Sequence, residues 1–241
     1  DENGDWLNLA DRKNVSSDIA PTAGQMPRAL GLAFASKAFR TIKEIHSLNN
    51  LSNNGNEVCF CTIGDASTSE GHFWETINAA GVLQVPLAVF VWDDGYGISV
   101  PKKYQTTKAS ISDALKGFQK KEGTNGVDIY KLKGWDYAGM CEILEPAIQK
   151  IRNTHTPAIF HVEEITQPQG HSTSGSHERY KTPGRLEWEK EWDGLKQMRE
   201  WILANALAEP EELNNIEENA KQFARESKGK AWEKYIIPVK Q

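Results

Sequence analysis

The sequence predicts an α/β fold, a parallel sheet covered by helices on both faces. Three features carry that expectation. Four short apolar runs recur along the chain, helical stretches alternate with them, and the runs are near-continuously apolar, as strands buried on both faces are. The stretch from Cys59 to Pro101 organises the rest: two apolar runs, each ending in an acidic residue within a turn, flank one amphipathic segment. In a parallel sheet the C-terminal strand ends lie side by side at one edge, where ligands bind. Asp65 and Asp94, 29 positions apart, can therefore meet on one hard cation with oxygen ligands.

The elements follow in order. Asp1 to Ser17 is polar, and is expected to be irregular or docked against something else. Pro21 to Pro27 is a loop whose last proline suits the first turn of a helix. From Arg28 to about His46, Ala29, Leu32, Ala33, Ser36 and Ala38 make a small-residue helix able to pack closely. Leu48 to Asn56, rich in Asn and Ser, is a turn. Glu57 to Ile63 is the first buried strand and Gly64 to Ser69 the turn out of it. Glu70 to Gln84 reads as a helix with Phe73, Ile77, Ala80 and Val82 on or near its buried side, and Leu87 to Trp92 as the second strand. Val100 to Thr107 is an exposed loop and Ile111 to Phe118 a short helix. A third strand, Val127 to Leu132, precedes a helix from Asp136 to Arg152 with Asp136 as its cap. Pro157 to Ile165 is the fourth strand. Thr166 to Gly184 has no periodicity, and loops of that length are usually functional or disordered. Two charged, Trp-bearing helices close the chain, Leu186 to Leu207 and Glu211 to Tyr235, parted by Pro210. Residues 1–185 are thus expected to form one domain, and 186–241 a helical extension packed on it.

Composition narrows the function. With 241 residues, 39% apolar and 25% charged, the chain can bury a substantial core. A net charge of −5 argues against nucleic acid as a partner, which would call for clustered Lys and Arg. No apolar run approaches a membrane span, so no membrane association is expected. Three cysteines without metal-like spacing read as reduced thiols of a cytoplasmic protein. The chain begins at Asp1 without Met, which points to processing or to a piece of a longer polypeptide.

An Asp beside Gly after a strand is by itself a common turn residue. Two of them on neighbouring strands favour metal ligation. His46, His155 and His161 read as structural, while His72 and His177 have no assigned role. The eight tryptophans read as packing or subunit-interface residues.

Four motifs in order give the sequence a family resemblance. Gly64-Asp65 followed at this distance by Asp93-Asp94-Gly-Tyr-Gly-Ile-Ser resembles the thiamine diphosphate motif. Gln25 to Lys37, Ser69-Glu70-Gly71 and Gly170-His-Ser-Thr-Ser174 resemble the alpha subunit of the 2-oxo acid dehydrogenases, the branched-chain enzymes most nearly. The resemblance implies a thiamine diphosphate-binding fold, with magnesium held by Asp65, Asp94 and the backbone carbonyl of Tyr96. It implies cofactor contacts from Gly64, Asp65, Ala66, Ser67, Glu70, Asp94, Tyr96, Gly97 and Ile98, with Glu70 bracing the turn. It places His171 near the thiazolium as the catalytic residue, where an exposed loop histidine is the plainer alternative. Ser172 matches a serine that kinases phosphorylate in mitochondrial relatives. The implied activity is oxidative decarboxylation of a 2-oxo acid with acyl transfer to lipoyl. The implied partners are a beta-type pyrimidine-binding domain or subunit and a lipoyl acyltransferase, in an oligomer. A fused alpha-beta polypeptide would supply the former within one chain.

Departures from the family keep rivals open. The family usually carries Asn-Asn at Asp93-Asp94, and one extra charge ~4 Å from a diphosphate amounts to up to about 4 kcal/mol of repulsion at an effective dielectric of about 20. Gln167-Pro168-Gln169 replaces a Tyr-Arg pair, and Gly175-Ser176 an acidic pair. An acetoin- or transketolase-type thiamine enzyme is one alternative. A non-catalytic assembly domain with a degenerate cofactor site is the other.

Overall fold

The computed structural model describes residues 19–48, 51–169, 171 and 176–240. Four parallel strands form its sheet: β1 (Cys59–Gly64), β2 (Leu87–Trp92), β3 (Asp128–Lys133) and β4 (Ala158–Glu163). Their spatial order is β1-β2-β4-β3, so the chain leaves β2 for the far edge and returns between. That reversal is where α/β sheets open a binding crevice. The registers set Gly64, Trp92, Val162 and Leu132 in one row across the sheet.

Helices lie on both faces because successive strand residues point to opposite sides. On one face α1 (Gln25–Thr41) and α2 (Gly71–Leu83) bury Met26, Ala29, Ala33, Phe73 and Ile77 against Cys61, Ile63, Val89 and Val91. The buried residues of α1 recur at helical spacing and are small beyond Met26, which brings its backbone near β1. On the other face α3 (Tyr137–Thr154) covers Ala88, Phe160, Val162 and Leu132 through Ala147 and Ile151. Each fully buried Val, Leu, Ile, Phe or Met among them contributes about 1.5–3 kcal/mol. An aromatic row crosses this second face, Phe60–Phe90–Phe160–Tyr130, with ring centroids 6.0, 4.8 and 5.1 Å apart.

Local chemistry sets the boundaries. Asp136 caps α3 by accepting from Gly139 N–H at 2.9 Å, as its sequence position implies. The first helix ends at Thr41, short of the expected His46, because Ile42 is extended. The exposed loop expected from Val100 to Thr107 begins as the second strand of a small hairpin, with Tyr96 opposite Pro101 and Gly97 opposite Val100, and continues in a helical turn at Lys102–Tyr104. The single helix expected from Leu186 to Leu207 is two, α4 (Pro183–Glu191) and α5 (Gly194–Ala204). Trp192 and Asp193 separate them, and the Asp193-Gly194 dipeptide at the start of α5 favours a break there. The last helix, α6, runs from Pro210 to Lys240.

The chain divides into two compact units between Asp193 and Gly194, where the sequence placed a boundary at 185 and 186. The difference has a cause: α4 is tied into the first unit by Arg185 and Glu189. Within the second unit, Arg199 of α5 donates to Asn214 and Glu217 of α6, both at 2.7 Å.

Candidate functional site

The hydrogen-bond ladder continues one step past the strands. Asp65 N–H donates to the Trp92 carbonyl at 3.0 Å, and Asp93 N–H to the Val162 carbonyl at 2.9 Å. Asp65, Asp93 and Glu163 thereby follow one another along the sheet edge.

Asp65 opens a tight turn of small residues, Ala66–Ser69. Thr68 closes that turn: its N–H and its Oγ1 both donate to the Asp65 carbonyl, at 3.1 and 2.5 Å. The side chain of Asp65 is 5% exposed, and its Oδ2 is buried with no partner among the described residues. Burial pushes its carboxyl up to about 7, and the charges of Asp93 and Asp94 act in the same direction.

The second turn follows β2. Asp94 is half-buried, and its Oδ1 accepts from Tyr96 N–H at 3.0 Å. Burial pushes its carboxyl up, against the Tyr96 N–H and the cations of Lys181 and Arg185. Lys102 N–H donates to the Gly95 carbonyl at 2.9 Å and closes the hairpin. The residue opposite Tyr96 is Pro101, which has no N–H to offer the Tyr96 carbonyl. At the hairpin tip Ile98 is 60% exposed with φ +57°, a conformation a β-branched residue adopts only when its surroundings enforce it. A Cβ on Gly97 would stand 2.8 Å from Ala66 Cβ and overlap the Gln105 amide. The two turns therefore abut, and the glycine permits it.

Residues 180–189 close one side. Arg185 Nη2 donates to the Asp94 carbonyl at 2.8 Å, and its Nε to Glu189 Oε1 at 2.8 Å. Lys181, 5% exposed, reaches both Glu189 oxygens at 2.8 and 2.9 Å. Tyr180 packs on Tyr96 with centroids 5.7 Å apart.

Of the expected site residues, Gly64 ends β1, Asp65, Ala66 and Ser67 lie on the first turn, and Asp94, Tyr96 and Gly97 on the second, at one edge of the sheet. Ile98 stands at the hairpin tip. Glu70 is exposed at the start of α2 and makes no capping hydrogen bond, so the bracing expected of it falls to Thr68. His171 is exposed, and a backbone hydrogen bond ties it to the Tyr180 side chain. Gly170 and Ser172 lie outside the described residues.

Sequence reasoning missed a second set. Asp93 is 2% exposed: its Oδ1 accepts from Gly95 N–H at 2.8 Å, its Oδ2 from Lys102 Nζ at 2.7 Å and His161 Nε2 at 2.8 Å. Burial would raise its carboxyl, but the His161 and Lys102 hydrogen bonds outweigh it and hold the group below the usual carboxylate range. His161 is fully buried, and its Nδ1 lies 2.9 Å from Ser112 Oγ. Asp93, His161 and Glu163 bring potential metal-ligand atoms within 4.8 Å of one another. The Lys102 ammonium already neutralises Asp93 there, so we assign that trio no ion.

Hard carboxylate oxygens on two abutting turns are the donor set of a magnesium-type cation, and such a cation shares its shell with phosphate oxygens. The unpartnered Asp65 Oδ2 fits that role, and the small residues around it let a ligand approach the backbone.

The chain is 26% identical over 203 residues to the pyruvate dehydrogenase E1 component subunit alpha of Rickettsia bellii, covering 84% of this chain and 55% of that protein. It is 28% identical over 199 residues to 2-oxoisovalerate dehydrogenase subunit alpha 2 of Arabidopsis thaliana, covering 81% of this chain and 37% of that protein. The human 2-oxoisovalerate dehydrogenase subunit alpha is 25% identical over 218 residues, covering 90% and 42%. The chain thus spans about half the length of the curated relatives it matches, or less. A family model described as "Dehydrogenase E1 component" matches residues 7–239, and with that match over nearly its whole length the chain belongs to the dehydrogenase E1 component family.

Proposed function

We propose that the chain is the diphosphate- and magnesium-binding half of the thiamine diphosphate-dependent, decarboxylating component of a 2-oxo acid dehydrogenase. One observation carries the reading: a buried aspartate with an unpartnered oxygen, Asp65, at the sheet edge beside the Asp94–Tyr96 turn. In this reading the side chains of Asp65 and Asp94 and the carbonyl of Tyr96 hold magnesium, and Gly64, Ala66, Ser67 and Gly97 leave room for the diphosphate. Thiamine diphosphate, when bound, supplies the nucleophilic carbon and the ring that takes up the electrons left by carbon dioxide.

The chain's own residues anchor and orient. Arg185 fixes the Asp94 carbonyl, and the Lys181–Glu189 pair fixes Arg185. His171, itself exposed, would act on the reacting substrate. A beta-type pyrimidine-binding partner completes the site, and a lipoyl acyltransferase receives the acyl group, within an oligomer. The three free thiols support a reducing compartment, which we take to be the cytoplasm.

The test is equilibrium binding of thiamine diphosphate with magnesium, with and without a beta-type partner. Binding that requires the partner and disappears in Asp65→Ala is the expected outcome. No binding in either setting would leave the assembly-domain alternative standing.

A further inference from the structure

We infer that Lys102 and His161, acting through Asp93, are positioning residues that hold the Asp94–Tyr96 turn in the geometry a divalent cation requires. This rests on the reading above, since it takes Asp94 and Tyr96 to be ligands.

One carboxylate joins three parts of the fold. Asp93 Oδ1 takes the Gly95 N–H of its own turn, and Oδ2 takes Lys102 Nζ from the far end of the hairpin and His161 Nε2 from β4. Its backbone is held as well, its N–H donating to Val162 and its carbonyl accepting from Ile165 N–H at 3.2 Å. The hairpin needs such an anchor. It has two residue pairs and a tip residue in the left-handed region, and isolated hairpins are marginal in water.

The donor chemistry is matched on every side. An ionised carboxylate only accepts, so Lys102 and His161 Nε2 both donate, and with a neutral imidazole Nδ1 accepts from the Ser112 hydroxyl. Ser110 Oγ lies 3.2 Å from Ser112 Oγ and extends the buried chain. An amide at position 93 would turn an N–H2 toward one of these donors. Lys102 also cancels a charge that would otherwise add to Asp65 and Asp94 at the same edge. The outer partners of metal ligands typically govern affinity by about 10–100-fold.

The experiment uses the full-length polypeptide with its native partner, and reads Mn²⁺ affinity in the presence of thiamine diphosphate by electron paramagnetic resonance. Lys102→Met and His161→Leu should each weaken Mn²⁺ binding about tenfold at temperatures where circular dichroism shows both folded. His161→Gln, whose side-chain N–H2 can reach the place of Nε2, should recover most of the loss. If Lys102→Met and His161→Leu melt earlier yet bind Mn²⁺ as the unaltered protein does, the residues are structural and the inference is wrong. Should His161→Leu not fold, Lys102→Met decides alone, since that side chain is 30% exposed and its loss is tolerable. Failure of the unaltered protein to bind Mn²⁺ with thiamine diphosphate overturns the cofactor reading itself, a result distinct from unchanged affinity in the variants.

Discussion

Asp65 carries a cost in the cation-free chain. The unpartnered oxygen of this buried carboxylate loses the water it had in the unfolded state and receives no hydrogen bond in return, although the group as a whole takes one from the Ala66 backbone. Asp65→Asn keeps the shape and removes the charge. The metal-free variant should melt a few degrees higher, about 2–4 °C per 1 kcal/mol for a chain of this size, while magnesium-dependent cofactor binding falls at least about tenfold. Differential scanning calorimetry with and without magnesium checks both halves, and a lower melting point in the metal-free variant would count against a ligand role. The cysteines separate by the same logic. Burial pushes the Cys61 thiol up to about 11, and burial with the neighbouring Cys61 pushes Cys59 to about 12, whereas Cys141 is exposed on α3. A thiol reagent at neutral pH should therefore titrate one group rapidly in the native protein and three after unfolding.

At the scale of elements, two polar junctions hold α4 and β1 in place. Glu189 is 5% exposed between Lys181 and Arg185, so Glu189→Gln leaves the buried Lys181 ammonium without its counter-charge. Breaking one partner of a buried pair typically costs about 3–5 kcal/mol, and here it also frees Arg185 from its hold on the Asp94 carbonyl. The expected result is a lower denaturation midpoint together with weaker magnesium binding. Glu57, just before β1, accepts from Asn53 N–H and from the hydroxyls of Ser52 and Ser36 at 2.8 and 3.2 Å. Burial raises its carboxyl, but these hydrogen bonds outweigh burial and leave it below its ordinary value. A carboxyl lowered in the folded state stabilises fully above its unfolded value, and that contribution is lost as pH falls through the folded one. Glu57→Gln should flatten the acid limb of the stability–pH curve below about pH 4.5 and leave its slope at neutral pH unchanged.

Over the whole molecule, what could be read from the sequence was what is encoded locally. Leu87 to Trp92 is apolar throughout and forms a strand over those same residues, and Asp136 announces a cap that the structure uses. The edge position of Asp65 and Asp94 followed from parallel topology alone. The Asp93–Lys102–His161 set did not, because Lys102 is 9 positions from Asp93 and returns through the hairpin, while His161 is 68 positions away and arrives through the β2–β4 register. The Lys181–Glu189–Arg185 cluster stayed hidden for a related reason: helical spacing alone does not tell a buried ion pair from a solvated one. The same contrast between local and tertiary support predicts where the fold opens first. β2 and β4 each have a strand on both sides, and Val91, Phe160 and Val162 are fully buried. α6 is a helix of 31 residues, about 46 Å long, yet every residue in it except Leu213 and Ile236 is exposed. Helical hydrogen bonds without a packed face are marginal in water, so opening α6 costs far less than opening the sheet. Hydrogen exchange followed by mass spectrometry should show α6 amides exchanging at least about a hundredfold faster than those of β2 and β4, a gap of about 3 kcal/mol in opening free energy. Equal protection in α6 and β2 would mean that this helix is covered in solution.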